Sequence, residues 1–148
     1  MSLKEKINKE LTQAMKDKDS VRIDTLRAVR AEILKMDKSG MNREMNEEEE
    51  IQLLSKQAKL RKESIEIFEK AGRTDLADKE TKQLKIINEY LPAQISHKEA
   101  EILIVKIISE LGEVSQKDFG RVMGMCMKEL KGKVDGKIIQ EIVKSRLS

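Results

Sequence analysis

One stretch divides this sequence into two helical parts: NEYLPAQISHKE, residues 88–99. Pro92 ends the preceding helix, because proline disfavours helical geometry in the residue before it. Ser96 and Glu99 then have the spacing of a capping box, in which both side chains bind free backbone amides at a helix start. The stretch therefore predicts a boundary between an N-terminal domain, residues 1–92, and a C-terminal domain, residues 96–148.

The composition favours helices packed around aliphatic cores. Of the 148 residues, 39% are hydrophobic and 39% are charged, whereas aromatic residues make up only 2%. This mixture, rich in Leu, Ile, Met, Lys and Glu, is typical of helix-rich proteins. Apolar residues recur at helical spacing along both parts. We therefore predict an all-α protein, with about four helices in hairpins in the first domain and three in the second.

The third predicted helix stands out by its length and its two apolar sides. It follows a predicted loop, residues 41–46, and Asn46 caps its start. A helix with two apolar sides packs on both, so we expect it to be central. We also predict that Thr74 caps the fourth helix and that Leu103 faces the core from the fifth. The two stripes of the third helix are Ile51, Leu54, Ala58, Ile65 and Phe68, and Leu53, Leu60 and Ile67.

Residues that carry chemistry are scarce. The chain has one cysteine, Cys126, and one histidine, His97, so neither a multi-cysteine zinc site nor a histidine relay can form within it. Cys126 lies on the apolar stripe of its helix, which predicts a buried structural thiol. The segment that contains Lys131 and Gly132 lacks the P-loop pattern. We therefore predict no catalytic residue, no metal site and no cofactor.

The apolar runs are short. None approaches the roughly 20 residues that a membrane helix needs. The first residues lack the apolar stretch of a signal peptide. By elimination, we expect a soluble cytoplasmic protein without a membrane partner.

Basic residues concentrate near the C-terminus. From Gln116 onward there are eight Lys or Arg and four acids, a net charge of +4, although the whole chain carries +3. Within this segment lies KGKVDGK, residues 131–137, whose lysines we expect to be exposed. Asp135 is predicted to cap the last helix, and a helix start among lysines favours phosphate. The alternative is an ordinary solvated turn.

Two glycines inside the sixth predicted helix need an explanation. Gly120 and Gly124 each cost about 1 kcal/mol relative to alanine at such positions. Close approach of another helix would offset this cost, and close approach of an RNA backbone is the alternative.

Three stretches resemble the GatB/YqeY family: RKESIEIFEKAGRTDLADKE (61–80), EYLPAQIS (89–96) and FGRVMGMCMKELKGKVDGKIIQEIV (119–143). The resemblance covers nearly the whole chain and is strongest to the stand-alone YqeY-like proteins. It implies an all-helical fold with a small three-helix C-terminal domain. That domain is similar to the tail of the B subunit of the glutamyl/aspartyl-tRNA amidotransferase, which touches the elbow of the tRNA.

The resemblance also implies candidate RNA-binding residues. Gly132, Lys133 and Lys137 match the family's loop, whereas Lys128 and Gln140 stand where proline and asparagine are usual. The full hypothesis covers Arg121, Lys128, Lys131, Gly132, Lys133, Gly136, Lys137 and Lys144.

Three functions remain open from the sequence. The first is a non-catalytic module that binds tRNA. The second is a protein-interaction module that docks on amidotransferase subunits or another partner. The third, implied by the resemblance alone, is participation in carbon–nitrogen ligation with glutamine as amide donor. Such chemistry needs an activated nucleophile and a nucleotide site, which this sequence does not display.

Overall fold

The computed structural model describes residues 1–40 and 43–147. Met41 and Asn42, within the predicted loop, and Ser148 lie outside the described residues. The described ranges contain seven α-helices, one 3-10 turn at Gln116–Asp118 and no β-strand, so the all-α prediction is confirmed. The helices are α1 (Leu3–Asp17), α2 (Ser20–Asp37), α3 (Glu47–Lys70), α4 (Thr74–Asn88), α5 (His97–Leu111), α6 (Phe119–Leu130) and α7 (Gly136–Arg146).

The first compact unit, Met1–Leu91, consists of two helical hairpins. Lys18 adopts the left-handed conformation between α1 and α2, and Gly72 does so between α3 and α4. Both turns are short, which makes each pair of helices antiparallel neighbours. The helix α2 also packs against α3 and α4 and joins the hairpins. The buried core comprises Leu3, Ile7, Leu11, Ala14, Leu26, Val29, Ile33, Leu54, Ala58, Ile87 and Leu91.

The second compact unit, Pro92–Ser148, is a three-helix bundle with its own core. The helix α5 packs against both α6 and α7, which also pack against each other. The division into two domains, residues 1–92 and 96–148, stays a prediction. The buried core comprises Ala100, Ile104, Ile107, Val122, Cys126, Leu130, Val134, Ile139, Ile142, Val143 and Leu147.

The helix starts predicted at Asn46 and at Ser96 differ from each other in how completely they form a capping box. The Asn46 side chain accepts from the Glu49 amide at 2.9 Å, and the Glu49 carboxylate accepts from the Asn46 amide at 3.1 Å. Ser96 likewise accepts from the Glu99 amide at 3.1 Å. The Glu99 carboxylate, however, accepts from the Ser96 hydroxyl at 3.2 Å rather than from its backbone. The first box is complete, whereas the second is only half formed.

Both ends of α4 differ from the prediction. Thr74 is its first helical residue, and Arg73 occupies the N-cap without a side-chain cap hydrogen bond. The helix ends at Asn88, before Pro92 is reached. The amides of Tyr90 and Leu91 instead bond three residues back, because the chain tightens where proline forbids continued α geometry.

Three residues predicted to be buried face solvent. Leu60 is 46% exposed and Ile67 is 64% exposed, so the second stripe of α3 is not a packing surface along most of its length. The helix α3 packs mainly against α4 and also contacts α2, and Leu60 and Ile67 stay exposed beside these contacts. Leu103 on α5 is 38% exposed because α6 and α7 pack against the side that carries Ile104. The prediction of a second packed side on α3 is therefore wrong at Leu60 and Ile67, whereas Leu53 of the same stripe packs against the core.

Candidate nucleic-acid interface

The loop between α6 and α7 begins with a tight turn, which we call the tip turn (residues 130–133). Lys131 has φ −57° and ψ 129°, and Gly132 has φ 80°. These angles, with the Lys133 amide donating to the Leu130 carbonyl at 3.0 Å, define a type II turn. A positive φ at its third position favours glycine. The turn itself therefore explains why a glycine stands at position 132, independently of any ligand.

The segment after Pro92 holds the tip turn in place. The Ile95 amide donates to the Lys133 carbonyl at 2.9 Å, and the Gln94 side-chain amide donates to the Gly132 carbonyl at 2.6 Å. Lys131 and Lys133 are half-buried, whereas Lys137 is exposed. The expectation that all three lysines are exposed is thus wrong for two of them, in a turn whose Gly132 and Lys133 carbonyls are covered by residues distant in sequence.

The start of α7 lies directly after the tip turn. The Asp135 side chain accepts from the Lys137 amide at 3.0 Å, which confirms the predicted cap. The amides of Ile138 and Ile139 donate to the Asp135 carbonyl at 3.0 and 3.3 Å, so the helix dipole is the main feature of this helix start that favours an anion. Gly136 needs no positive φ, and a Cβ added there would lie 3.7 Å from Met127 Cε, an ordinary contact. Gly136 is therefore not required by the backbone.

The predicted RNA-binding residues fall into two groups. The first occupies the end of α6, the tip turn and the start of α7. Arg121 and Lys144 lie two helical turns from the residues at this end, about 10 Å along α6 and α7 respectively. Arg121 also pairs with Asp118 at 3.4 Å, which offsets part of its charge. The first group is Lys128, Lys131, Gly132, Lys133, Gly136 and Lys137.

Gly120 and Gly124 are exposed on α6. Among the described residues of the C-terminal unit, a Cβ added at either position would meet no atom within 4 Å. The explanation by close helix packing is therefore wrong for this unit. The alternative, approach of an RNA backbone, stays a prediction.

The residues that first suggested chemistry are poorly placed for it. Cys126 is fully buried, and burial raises the pKa of its thiol, with the Glu129 carboxylate adding to the effect. This burial agrees with the prediction that Cys126 is a buried structural thiol. His97 is exposed at the start of α5. Within residues 1–40 and 43–147, no three His, Cys, Asp or Glu side chains come together as ligands for a metal ion.

The structure contains a groove that the sequence did not indicate. We call it the Phe119 groove, and its volume is about 310 Å³. Its lining comes from the 3-10 turn, the start of α6 and the far half of α7, so no local sequence pattern reports it. The lining residues are Gln116, Phe119, Gln140, Lys144 and Leu147.

Comparison with known proteins identifies the family. The family model described as Yqey-like protein matches residues 4–147. This chain therefore belongs to the Yqey-like protein family, and the resemblance seen in the sequence is confirmed.

Several relatives cover most of the chain. A protein of Pyrenophora tritici-repentis, named Altered inheritance of mitochondria protein 41, mitochondrial, is 34% identical over 93% of this chain and 79% of its own length. Its namesake in Kluyveromyces lactis is 28% identical over 90% of this chain and 69% of its own length. A shorter match is the E subunit of the Glutamyl-tRNA(Gln) amidotransferase of Methanocaldococcus jannaschii. It is 39% identical over 57 residues, which are 36% of this chain and 9% of its own length.

These relatives correct one expectation. Several are named as mitochondrial proteins, so the prediction of a cytoplasmic location is wrong. In the part of the chain that the structure describes, no helix combines the length and the apolar character needed to span a membrane.

Proposed function

We propose that this protein is a non-catalytic module that binds the backbone of a folded RNA, with tRNA as the expected partner. The observation that carries the proposal is the tip turn, whose lysines stand beside the capped start of α7. The turn is fixed by two hydrogen bonds from residues 94–95. A preformed site loses little conformational entropy when it binds.

Charge and similarity support the same proposal. The net charge of +4 from Gln116 onward attracts a polyanion. The tip turn lies in the family's C-terminal region, and a 57-residue stretch of this chain is similar to part of a tRNA amidotransferase. Cys126, as a buried thiol with a raised pKa, is a poor nucleophile for glutamine. Any role in carbon–nitrogen ligation would thus need a nucleophile from elsewhere.

The test is to neutralise the tip lysines while keeping their aliphatic stems. Lys131→Gln, Lys133→Gln and Lys137→Gln together should weaken tRNA binding. Because each phosphate contact releases counterions, the slope of log affinity against log salt should fall by about one for each contacting lysine. Fluorescence anisotropy with labelled tRNA across a salt series measures both quantities.

A matched control lies on α3, where Lys56, Lys59 and Lys62 are exposed. The same three changes to glutamine remove equal charge from the N-terminal unit and should leave most of the affinity and the slope intact. Equal losses for the two triple variants would mean that binding follows net charge and not the tip. Undiminished binding by the tip variant would reject the tip as the site.

A second candidate function is docking on one of the amidotransferase subunits. The observation in its favour is an apolar patch on α5, where Ile102 is 61% exposed and Leu103 and Val105 are each 38% exposed. Such patches commonly mark protein contacts. Ile102→Asp with Val105→Asp should abolish co-purification with added amidotransferase subunits and leave RNA binding unchanged. Retained co-purification would remove this candidate.

A further inference from the structure

The Phe119 groove differs from the tip turn in its chemistry. Its volume of about 310 Å³ lies at the lower end of the range of ligand pockets, roughly 300–1,000 Å³. Phe119 is half-buried and packs in part against the C-terminal core, and it lines the groove together with the buried Leu147. Two amides and one ammonium complete the lining, and none of the lining residues within the described ranges carries a side-chain carboxylate. The groove thus combines one aromatic surface with polar groups and positive charge.

This combination matches the parts of an unpaired nucleotide. An aromatic ring stacks on any base, which is how proteins commonly hold single-stranded RNA. The side chains of Gln116 and Gln140 each offer a donor and an acceptor, which suits the polar edge of a base. Lys144 supplies a cation for the adjoining phosphate. A phosphate-free apolar peptide would leave the lysine and both amides without a matched partner.

The position of the groove connects it with the tip. Lys137, Gln140 and Lys144 are exposed on α7 and are spaced three and four residues apart, so they form one line along the helix. A strand of RNA whose backbone contacts the tip turn can follow this line toward the groove.

We propose that the Phe119 groove binds one unpaired nucleobase of an RNA, stacked on Phe119, with its polar edge at Gln116 and Gln140 and its phosphate at Lys144. The inference rests on the proposed RNA-binding function and specifies the part of the RNA that this protein takes: a looped or single-stranded nucleotide.

The first experiment separates stacking from charge. The probes are a synthetic RNA hairpin with an unpaired loop and an RNA duplex with the same number of phosphates. Phe119→Leu keeps an apolar side chain but removes the ring, and should weaken hairpin binding roughly tenfold, as expected for the loss of one base–aromatic stack. The salt slope should stay unchanged, and duplex binding should hardly differ from wild type. Lys144→Gln should instead lower the slope of log affinity against log salt by about one, the change expected for one lost phosphate contact.

The second experiment reports the contact directly. The chain contains no tryptophan, so Phe119→Trp introduces a single indole that retains the stacking surface. Hairpin binding should keep near wild-type affinity and quench the indole fluorescence. In the matched control, Ile102→Trp places an indole on exposed α5 of the same unit, where hairpin binding should leave the emission nearly unchanged. Circular dichroism confirms that each variant is folded.

The outcomes distinguish this inference from the proposed function. Wild-type protein that binds neither probe overturns both. A second outcome overturns the base site alone: the protein binds hairpin and duplex equally, Phe119→Leu has no effect, and the indole of Phe119→Trp is not quenched. Backbone binding at the tip turn would then still stand. Quenching of that indole by added amidotransferase, without quenching by RNA, would assign the groove to a protein partner and reject the base site.

Discussion

The N-terminal and C-terminal units use the same aliphatic packing but arrange their charges differently. In the N-terminal unit, ion pairs join separate helices: Lys4 with Asp37 at 2.8 Å, and Arg61 with Glu80 at 3.5 Å. The C-terminal unit also joins α7 to α5 through Arg146 and Glu101 and pairs Arg121 with Asp118, but from Gln116 onward it keeps a net charge of +4. Charges paired within a unit create little external field, whereas unbalanced charges attract an outside anion. Under the proposed function, the second unit would present the binding surface.

The two units also differ in their buried polar groups. The polar residues buried as whole side chains in the N-terminal unit are Thr25, Gln57 and Gln83, and single atoms of the ionisable side chains Glu10, Arg61 and Tyr90 are buried there as well. The Thr25 hydroxyl donates to the Val21 carbonyl at 2.7 Å, within its own helix. The C-terminal core contains one ionisable group, the thiol of Cys126. The four predictions below use contrasts between and within the two units.

The largest expected effect is the loss of stability caused by a cavity in the C-terminal core. Ile104 is fully buried, and Ile104→Ala should cost about 2–5 kcal/mol. A unit of this size is marginally stable, so the variant should lose its C-terminal fold. If the units fold independently, hydrogen exchange should remain slow in α1–α4. The matched variant Ile7→Ala deletes the same atoms from the other core. Loss of protection in both units by Ile104→Ala would contradict independent folding.

The next effect concerns two glycines, one within the tip turn and one at the start of α7. Gly132→Ala places a Cβ at φ 80° and should destabilise the C-terminal unit by about 1–2 kcal/mol, the cost of left-handed backbone. Gly136→Ala, where space and φ permit a side chain, should be neutral or stabilising by up to about 1 kcal/mol. Urea unfolding of both variants measures the contrast. Equal destabilisation would disprove the type II turn as the reason for Gly132.

A smaller gain is expected on the exposed side of α6. Gly120→Ala and Gly124→Ala should each stabilise the helix by about 0.5–1 kcal/mol, because alanine loses less backbone entropy and has free space. The change in midpoint of thermal unfolding checks this. Destabilisation by either change would show that the glycine is needed for packing after all, and would restore the helix-contact explanation.

The smallest effect on stability is the pH response of Cys126. Burial raises its folded-state pKa above the unfolded value of about 8.5. Stability from the neutral thiol is therefore complete below pH 8.5 and declines as the pH rises toward the folded pKa. A thiol reagent at pH 7 should label native protein slowly and denatured protein rapidly. Rapid native labelling would contradict the buried thiol, and Cys126→Ala should remove the alkaline decline.

The sequence by itself determined the features that depend on neighbours within about four residues. The capping side chains of Asn46 and Asp135 act on amides two or three positions away, so both helix starts were predictable. The spacing of Ile and Leu likewise determined the helices and most of the C-terminal core, including Cys126. These features involve residues close together in the chain, so the local sequence is sufficient to specify them.

Only the tertiary structure decided which apolar and polar groups are covered. Ile67 has the spacing of a core residue, yet it is 64% exposed, because the described helices of the N-terminal unit do not cover it. Gln94 reaches Gly132 across 38 positions, and this contact turns an apparently open lysine tip into a half-buried turn. The Phe119 groove arises in the same way, from Phe119 and Gln140 on two helices. Burial and pockets depend on distant segments that meet only after packing, and no local pattern encodes them.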